Sequence, residues 1–455
     1  MSKPERQLFG TDGIRGVAGE YPLDRRTIFA IGQALGHRLL SAGGKRVVIG
    51  QDTRDSSTWI AELLASGLLS GGVEAESAGV ITTPGVAYLA RSNGFAAGVV
   101  ISASHNPWQD NGIKVFSADG YKLPDAVEHQ IEAEIFSLLD KSIPETTPRK
   151  LTDNSKLHAN YVNWLASKVT DTHLGRLKVL VDCANGAASA VAADVFRACG
   201  AQATFICTSP DGRNINDRCG ALYPEAVARA IAAHPGSYDL GITFDGDADR
   251  ALFSDAAGRV VNGDAVLLLA AREMQQRGAL AGSTVVATTM SNMGLEIALR
   301  KSGIRMLRAP VGDKYVLEEM QKTGATLGGE QSGHIIFRDT DATTGDGLLT
   351  ALRVLQIVAR SGKPLAELIA DLRVFPQVIK NIRVREKKPL MEVPDVARSI
   401  TAAEKELDGN GRVVVRYSGT EALARVMVEA ETEEKMQRLT DSIADAIQRT
   451  LGQRT

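Results

Sequence analysis

The order of apolar and polar residues repeats three times along the chain, beginning at Arg46, Leu177 and Ser283. Each copy contains an apolar strand that ends in a polar loop, a helical stretch, a second strand, another helical stretch and a third strand that ends in a different polar loop. Strands that alternate with helices in this way are typical of βαβ units. The repeat therefore predicts three successive related α/β domains, each with a mixed, mostly parallel sheet and helices on both faces.

In the first copy the predicted strands are Arg46–Gly50, Gly72–Val80 and Ala96–Ala103, preceded by a helix over Thr27–Leu40. β-branched residues fill the first and third strands, as expected for strands that are buried on both faces. The loop after the third strand then lies at the carboxyl edge of the sheet, which is where α/β folds bind their ligands.

The C-terminal part of the chain has a different pattern. An alternating, exposed strand is predicted within Val374–Lys388, a strand pair over Arg412–Tyr417 and Ala424–Ala430, and an amphipathic helix over Glu433–Leu451. This combination predicts a smaller α+β domain. We expect polar linkers at Lys141–Asn154 and Asp255–Asn262, and we place the four domains at residues 1–152, 153–256, 257–372 and 373–455.

Composition narrows the possible partners. The 455 residues are 44% hydrophobic and 23% charged, and 52 basic against 54 acidic side chains leave a net charge of −2. A nearly neutral chain has no overall field that would attract nucleic acid or an acidic membrane. No stretch approaches the ~20 apolar residues of a membrane-spanning helix, and the first residues show no apolar signal-peptide core. We therefore expect a cytoplasmic protein that binds neither nucleic acid nor membrane.

Four cysteines, Cys183, Cys199, Cys207 and Cys219, show neither CxxC pairing nor a His-flanked metal spacing. In a cytoplasmic protein, thiols without such spacing are usually reduced and structural. The sequence therefore predicts no disulfide.

The apolar strand before Ser104 breaks abruptly into a polar loop that also carries His105. Ser104 is the candidate nucleophile, and the alternative is that it only caps a turn or helix, because serine is favoured at caps. Lys114, on the following stretch, is a candidate general acid or base if desolvation lowers its pKa, and otherwise a surface lysine. Near the start of the chain, Arg15 lies in a glycine-rich loop that either contacts an anion or forms a plain turn.

Asp245, Asp247 and Asp249 occupy alternate positions of a tight loop after the apolar strand of the second copy. Three carboxylates this close repel one another unless a hard cation lies among them, so the loop is a candidate Mg²⁺ site; the alternative is a solvated acidic loop. A Mg²⁺ ion with protein oxygens and free positions for phosphate oxygens is typical of phosphoryl transfer.

Two further loops carry polar side chains suited to a phosphorylated sugar. The loop of the third copy offers donors and acceptors that can read sugar hydroxyls, unless it is only a hydrophilic turn. The loop of the last domain offers hydroxyls, backbone amides and two arginines, which suit a phosphate better than a plain surface hairpin. The candidates are Glu330, Ser332 and His334 in the first loop, and Arg416, Ser418, Gly419, Thr420 and Arg425 in the second.

Six motifs resemble the α-D-phosphohexomutase superfamily: FGTDGIRG, SASHNP, NGIK, DGDADR, GEQSGH and RYSGTEALARVMVE, in this order over nearly the whole chain. Gln331 and the segment Val311–Val316 resemble its glucosamine branch rather than its mannose and glucose branches. One departure is Ala248, which stands where glycine is common in the acidic loop.

The resemblance implies four domains around a central cleft and an active Ser104 that works as phosphoserine. It also implies that Mg²⁺ is held by Asp245, Asp247, Asp249 and the phosphate on Ser104. Phosphorylated Ser104 would give its phosphoryl group to O1 of a hexosamine 6-phosphate, and the resulting 1,6-bisphosphate would turn over and return its 6-phosphoryl group.

Further expectations follow from the same resemblance. His105 would steer the serine, while Arg15 and Lys114 would assist charge and proton movements. Hexosamine 1,6-bisphosphate would act as activator, the chain would form a homodimer, and the product would enter amino-sugar and cell-wall precursor synthesis.

Three other functions remain open. The first is a mannose or glucose phosphomutase of the same superfamily. The second is a phosphatase with an aspartate nucleophile, whose usual motif wants Thr or Val where Asp249 stands. The third is a non-catalytic sugar-phosphate sensor, which would need neither the serine nor the carboxylates.

Overall fold

The computed structural model describes residues 8–141, 148–418 and 422–453. The chain forms two compact units: Met1–Met290 with Leu307–Ile369, and Ser291–Met306 with Ala370–Thr455. The first unit contains the first two α/β copies and most of the third; the second contains residues 291–306 of the third copy and the C-terminal sheet.

The first sheet has the strand order β1-β5-β4-β2-β3. Strand β2 pairs in parallel with β3 and β4, whereas β5 runs antiparallel to β4 and β1, so the sheet is mixed. Its elements are β1 (Ile14–Val17), α1 (Arg25–Ser41), β2 (Arg46–Gln51), α2 (Ser57–Ser70), β3 (Glu74–Val80), α3 (Thr83–Ser92), β4 (Ala97–Ile101), β5 (Asp110–Ser117) and α4 (Asp125–Leu139).

The second sheet has the order β10-β9-β8-β6-β7, with β6 parallel to β7 and β8 and an antiparallel hairpin at the other edge. Its elements are α5 (Ser155–Ala166), β6 (Lys178–Asp182), α6 (Ala188–Ala198), β7 (Gln202–Ile206), α7 (Glu225–Ala233), β8 (Leu240–Phe244), β9 (Ala251–Asp255) and β10 (Val260–Val261).

The third sheet has the order β12-β11-β13-β14, in which β13 is parallel to β11 and antiparallel to β14. Its elements are α8 (Gly263–Gln276), β11 (Thr284–Thr288), α9 (Met293–Lys301), β12 (Arg305–Ala309), α10 (Asp313–Thr323), β13 (Leu327–Gly329), β14 (Ile335–Phe337), α11 (Gly347–Ser361) and α12 (Leu365–Leu368).

The C-terminal sheet is antiparallel, with β17 between β15 and β16. Apolar side chains of α13 and α14 pack with those of the sheet in one buried cluster. The elements are β15 (Gln377–Arg383), α13 (Pro394–Leu407), β16 (Gly411–Tyr417), β17 (Leu423–Ala430) and α14 (Glu433–Leu451).

The predicted fold class is confirmed: three related mixed α/β sheets precede a smaller α+β domain. The antiparallel hairpins make the sheets less parallel than the repeat pattern suggested, because each third strand turns back through its functional loop into an extra strand. The prediction that Asp255–Asn262 forms a linker between the second and third domains is wrong. Val260–Val261 pairs with β9, so the second sheet continues past the expected boundary at residue 256. Among the described helices, none is both long and apolar enough to cross a bilayer.

One stability prediction arises from α11. Its N-cap, Asp346, is buried, accepts a hydrogen bond from the Leu349 backbone N–H and accepts another from the Tyr161 hydroxyl at 2.7 Å. Burial raises the pKa of Asp346 to about 6, despite these hydrogen bonds. The folded state therefore binds a proton more tightly than the unfolded state, and this contribution to stability is lost as pH rises through about 6.

We expect Asp346→Asn to raise the thermal stability at pH 8 by up to about 3 kcal/mol, since asparagine caps helices well and carries no charge to desolvate. The gain should shrink towards pH 4. Thermal unfolding of Asp346→Asn and of the unchanged protein from pH 4 to pH 8 measures this difference in stability. Asp24→Asn, the same change at the half-buried N-cap of α1, is the matched control; parallel curves for Asp346→Asn and the unchanged protein would contradict the prediction.

Candidate active site

Ser104 lies just after β4 in a backbone conformation that serine rarely adopts, with φ of +54°. Its side chain is buried, and its Oγ donates a hydrogen bond to Oδ2 of Asp245 at 2.6 Å. A left-handed non-glycine residue costs roughly 1–2 kcal/mol and persists only where its surroundings enforce it. This strain motivates the hypothesis that Ser104 is functional.

The polar side chains that hold the Ser104 backbone in this conformation were not predicted from the sequence. The guanidinium of Arg54 donates to the carbonyl of Ser104 at 2.9 Å and forms a buried ion pair with Asp52. The side-chain amide of Asn216 donates to the same carbonyl, and Oγ of Ser102 accepts from the Ser104 N–H. Asp52 and Arg54 follow β2, the parallel neighbour of β4, and this adjacency was the available signal.

The three aspartates predicted to form a metal site converge directly after β8. Their carboxylates are buried, and one ligand oxygen from each lies within 4.8 Å of the others. Ala248, between two of them, has φ of +54°, so an alanine occupies a left-handed position that favours glycine. The loop backbone approaches the serine loop so closely that a Cβ on Gly246 would lie 2.3 Å from the carbonyl oxygen of Ser104.

The oxygen atoms of this loop suit a hard divalent cation. Oδ1 of Asp247 and Oδ1 of Asp249 are buried and accept no hydrogen bond from the described residues. Burial and the neighbouring carboxylates of Asp249 and Asp247 raise the pKa of Asp245 well above its ordinary range. Buried acceptors without donors, in a site crowded with negative charge, fit a cation bound by carboxylate oxygen. The arrangement can hold a metal ion.

Lys114 is buried on β5, and not a surface residue. Its ammonium lies 2.6 Å from Oδ2 of Asp247 and 3.9 Å from Oδ2 of Asp249. Burial alone would lower the pKa of Lys114, but these two carboxylates outweigh it and raise the pKa. The sheet places the lysine against the acidic loop, so the lowered pKa on which a general acid or base role depended does not occur in this arrangement, and the role of Lys114 stays a prediction.

His105 lies beside the serine, with Nδ1 3.4 Å from Oγ of Ser104. Its Nδ1 is also 3.4 Å from the guanidinium of Arg250, a residue that the sequence analysis did not select. Burial, together with the positive charges of Arg250 and Arg15, lowers the pKa of His105. Arg15, on β1, lies 3.5 Å from Asp12 and keeps a buried Nε with no partner among the described residues.

The loop between β13 and β14 is hydrogen-bonded to the chain directly after the acidic loop. The N–H of Ala251, the first residue of β9, donates to the carbonyl of Gly333. Glu330 is half-buried and accepts from the Gly312 N–H, and Ser332 is exposed. His334, by contrast, is buried, and its Nδ1 lies 3.6 Å from Oδ2 of Asp249.

The side chain of His334 is thus directed towards the acidic loop. The Gly345 N–H donates to its Nε2 at 3.0 Å, so in the neutral imidazole the ring proton lies on Nδ1, facing Asp249.

The predicted phosphate-binding residues of the second unit lie at the ends of β16 and β17. Arg416 and Arg425 are direct register partners, so their side chains share one face of the sheet. Like charges placed opposite each other repel, and an anion bound between two guanidinium groups would offset that repulsion. Ser418 is buried nearby, with its N–H bonded to the Leu423 carbonyl. Gly419 and Thr420 lie outside the described residues.

Four family models match consecutive parts of this chain. They describe the alpha/beta/alpha domains I, II and III and the C-terminal domain of phosphoglucomutase/phosphomannomutase, over residues 6–141, 159–258, 262–375 and 379–446. The chain therefore belongs to the phosphoglucomutase/phosphomannomutase family, an isomerase family of phosphohexomutases with four domains.

Individual relatives carry a more specific name than the family does. The phosphoglucosamine mutase of Koribacter versatilis is 64% identical over 457 residues, which cover 99% of this chain and 99% of that protein. The phosphoglucosamine mutase of Solibacter usitatus is 54% identical and covers 98% of this chain and 100% of its own. The predicted resemblance to the superfamily and to its glucosamine branch is confirmed by these relatives.

Solved structures share the same fold. A phosphoglucomutase/phosphomannomutase family protein from Burkholderia thailandensis matches 96% of this chain and 97% of its own, with a TM-score of 0.78 and 26% identity. The N-acetylphosphoglucosamine mutase of Aspergillus fumigatus, solved in complex with GlcNAc-6P and magnesium, matches 99% of this chain and 97% of its own, with a TM-score of 0.62. At 19% identity, the second match supports the fold alone.

Proposed function

We propose that this protein interconverts glucosamine 6-phosphate and glucosamine 1-phosphate through a phosphoserine at Ser104 and a 1,6-bisphosphate intermediate. The observation that carries the proposal is the strained Ser104, whose Oγ is hydrogen-bonded to a loop of three buried carboxylates. A hydroxyl beside a divalent-cation site is suited to accept and release a phosphoryl group.

Asp245, Asp247 and Asp249, with the phosphate on Ser104, are the residues that would hold Mg²⁺. When bound, Mg²⁺ neutralises negative charge on the phosphoryl group and so favours its transfer. The chain's own contribution is to keep the carboxylates fixed. Thr83 donates to Asp247, the Arg250 N–H donates to Asp245, and His334 faces Asp249.

In the proposed forward reaction, the phosphorus–oxygen bond to Oγ of Ser104 breaks as a bond to O1 of the sugar forms, and the proton that O1 loses ends on Oγ. After the bisphosphate has turned over, the bond between its 6-phosphorus and the sugar oxygen breaks as a new bond to Oγ forms, and the Oγ proton ends on the 6-oxygen. Lys114 and Arg15 supply positive charge for these steps, and His105 orients Oγ of the serine.

The remaining predicted residues are proposed to bind the substrate. Glu330 and Ser332 have side chains suited to sugar hydroxyls, whereas the buried position of His334 suits a positioning role on Asp249. Arg416, Ser418, Gly419, Thr420 and Arg425 are proposed to bind whichever phosphate is not reacting. One cradle is enough, because the bisphosphate presents its two phosphates in turn.

The sugar preference is tested by measuring the conversion of 6-phosphate to 1-phosphate with Mg²⁺ and a trace of hexose 1,6-bisphosphate. Glucosamine, glucose and mannose 6-phosphates are compared side by side. We expect kcat/KM for the glucosamine compound to exceed the others by at least tenfold, since one ion pair or buried hydrogen bond contributes about that much discrimination. A preference for mannose or glucose would move the protein to the second candidate, a phosphomannomutase or phosphoglucomutase.

Related parts of the proposal follow from the same activity. Hexosamine 1,6-bisphosphate should restore activity to dephosphorylated protein, because it can return a phosphoryl group to Ser104. We further propose that the protein acts in the cytoplasm, in amino-sugar and cell-wall precursor synthesis. A homodimer stays a prediction of the family resemblance.

A further inference from the structure

A second cluster of metal-ligating groups lies in the second α/β domain and takes no part in the proposed reaction. Asp182, Cys207 and Cys219 each offer one ligand atom, and these atoms lie within 4.8 Å of one another. The thiol of Cys207 is within hydrogen-bonding reach of both the Asp182 carboxylate and the Cys219 thiol. The sequence spacing of 182, 207 and 219 does not reveal this cluster, because only the folded loops bring the three residues together.

Two parallel strands and one loop build the cluster. Asp182 ends β6 and pairs in register with Ile206 on β7, so Cys207 emerges beside it at the same edge of the sheet. The backbone N–H groups of Ala184 and Gly220 donate to the two oxygens of Asp182, which fixes the carboxylate and holds Cys219 close to it. The position of each ligand thus follows from backbone hydrogen bonds.

We propose that Asp182, Cys207 and Cys219 bind a thiophilic divalent cation such as Zn²⁺. Two thiolates and one carboxylate are a donor set that zinc accepts, and soft sulfur ligands select against Mg²⁺. Two thiolates on one tetrahedral zinc ion lie about 3.8 Å apart, so the observed spacing requires little side-chain movement. On binding, the two thiols release their protons to solvent, two metal–sulfur bonds and one metal–oxygen bond form, and a water molecule completes the four-coordinate ion.

The solvent access of the cluster and its position in the fold are consistent with a cation site. Asp182 and Cys219 are buried, whereas Cys207 is only half-buried and opens the cluster to solvent. The loop between the two cysteines also carries Asn216, whose side chain donates to the carbonyl of Ser104 at 2.9 Å. A cation bound here is therefore connected through one loop to the backbone of the proposed nucleophile.

The test uses the full-length protein with a reductant that does not bind metals and with Mg²⁺ in excess, so that the oxygen site is occupied. Cd²⁺ is the probe, because its bonds to thiolate give an ultraviolet charge-transfer absorption that carboxylate ligands do not give. We expect saturable absorption with one equivalent of Cd²⁺, displaced by Zn²⁺ but not by further Mg²⁺. Cys207→Ser and Cys219→Ser should each weaken the affinity by at least tenfold.

Cys199→Ser is the matched control, since Cys199 is half-buried and lies outside the cluster; it should leave the titration unchanged. Thermal unfolding of each variant shows whether it is folded, and Asp182→Asn, which retains an oxygen acceptor for a backbone N–H, provides an independent change at the third ligand. Absorption that persists in the Cys207→Ser/Cys219→Ser double variant, or displacement of Cd²⁺ by Mg²⁺, would overturn the proposal. Oxidation of the two thiols to a disulfide in place of cation binding would overturn it as well.

Discussion

Ser104→Ala is expected to lower kcat by about 10⁴-fold or more, because the reaction would lose the atom that carries the phosphoryl group. Removal of a nucleophile has effects of this size, and the Thr83 hydroxyl, which also donates to the acidic loop, bonds to Asp247 rather than to Asp245. The intact mass of the protein after incubation with hexose 1,6-bisphosphate gives a second readout. The unchanged protein should gain the mass of one phosphoryl group, and the variant should gain none.

The fold of this variant requires its own check. Loss of Oγ leaves Oδ2 of Asp245 without its donor, which costs about 1–3 kcal/mol, and alanine must adopt the same left-handed backbone. Ser104→Gly relieves the backbone strain and should be equally inactive. Ser92→Ala, the same change at an exposed serine at the end of α3, is the control and should retain full activity. Substantial turnover by either Ser104 variant would disprove the serine assignment.

Asp245→Asn is expected to have opposite effects on activity and on the stability of the metal-free protein. Asparagine keeps the shape of the side chain, its oxygen can accept from the Arg250 N–H, and its amide can donate to Ser104. It removes a carboxyl group whose ionised form is disfavoured by burial and by two neighbouring carboxylates, so the cost of keeping that group in the fold without a cation disappears. The thermal midpoint in the presence of a chelator should therefore rise.

In the presence of Mg²⁺, Asp245→Asn should no longer have a higher thermal midpoint than the unchanged protein. A ligand that binds only the folded state stabilises it by about 2.7 kcal/mol at a concentration of 100 times Kd. The unchanged protein should show this cation-dependent rise in Tm, and Asp245→Asn should show a much smaller one. Because electrostatic stabilisation of the transferring group is weakened, kcat should fall by about 10²–10³-fold. Chelation of divalent cations should likewise stop turnover of the unchanged protein.

A matched control is Asp255→Asn at the end of β9. Asp255 is also buried, but it accepts hydrogen bonds from Ala257, Arg259 and the Arg259 side chain and lies outside the acidic loop. This variant should be less stable with and without cation, and its cation-dependent rise in Tm should stay unchanged. An unaltered cation effect in Asp245→Asn would show that the acidic loop is not the cation site.

Much of this fold and part of the site could be predicted from the sequence. The helix Glu433–Leu451 was predicted with the bounds that the structure has, and the strand expected at Arg46–Gly50 is one residue longer in the structure. Three aspartates at alternate positions of one loop have to lie close together in any fold, so a candidate cation site could also be predicted. These features depend on residues that are neighbours along the chain, and local periodicity and spacing contain that information.

Only the tertiary structure determined the burial, ion pairing and orientation of the residues around that loop. Lys114 could have been a surface lysine, but the sheet buries it against Asp247, which is 133 residues away in the sequence. His334 faces Asp249, Arg54 holds the carbonyl of Ser104, and Cys207 lies beside Cys219. Burial and ion pairing depend on which strand ends and loops meet at a sheet edge. That arrangement is set by long-range packing, which the spacing of residues along the chain does not encode.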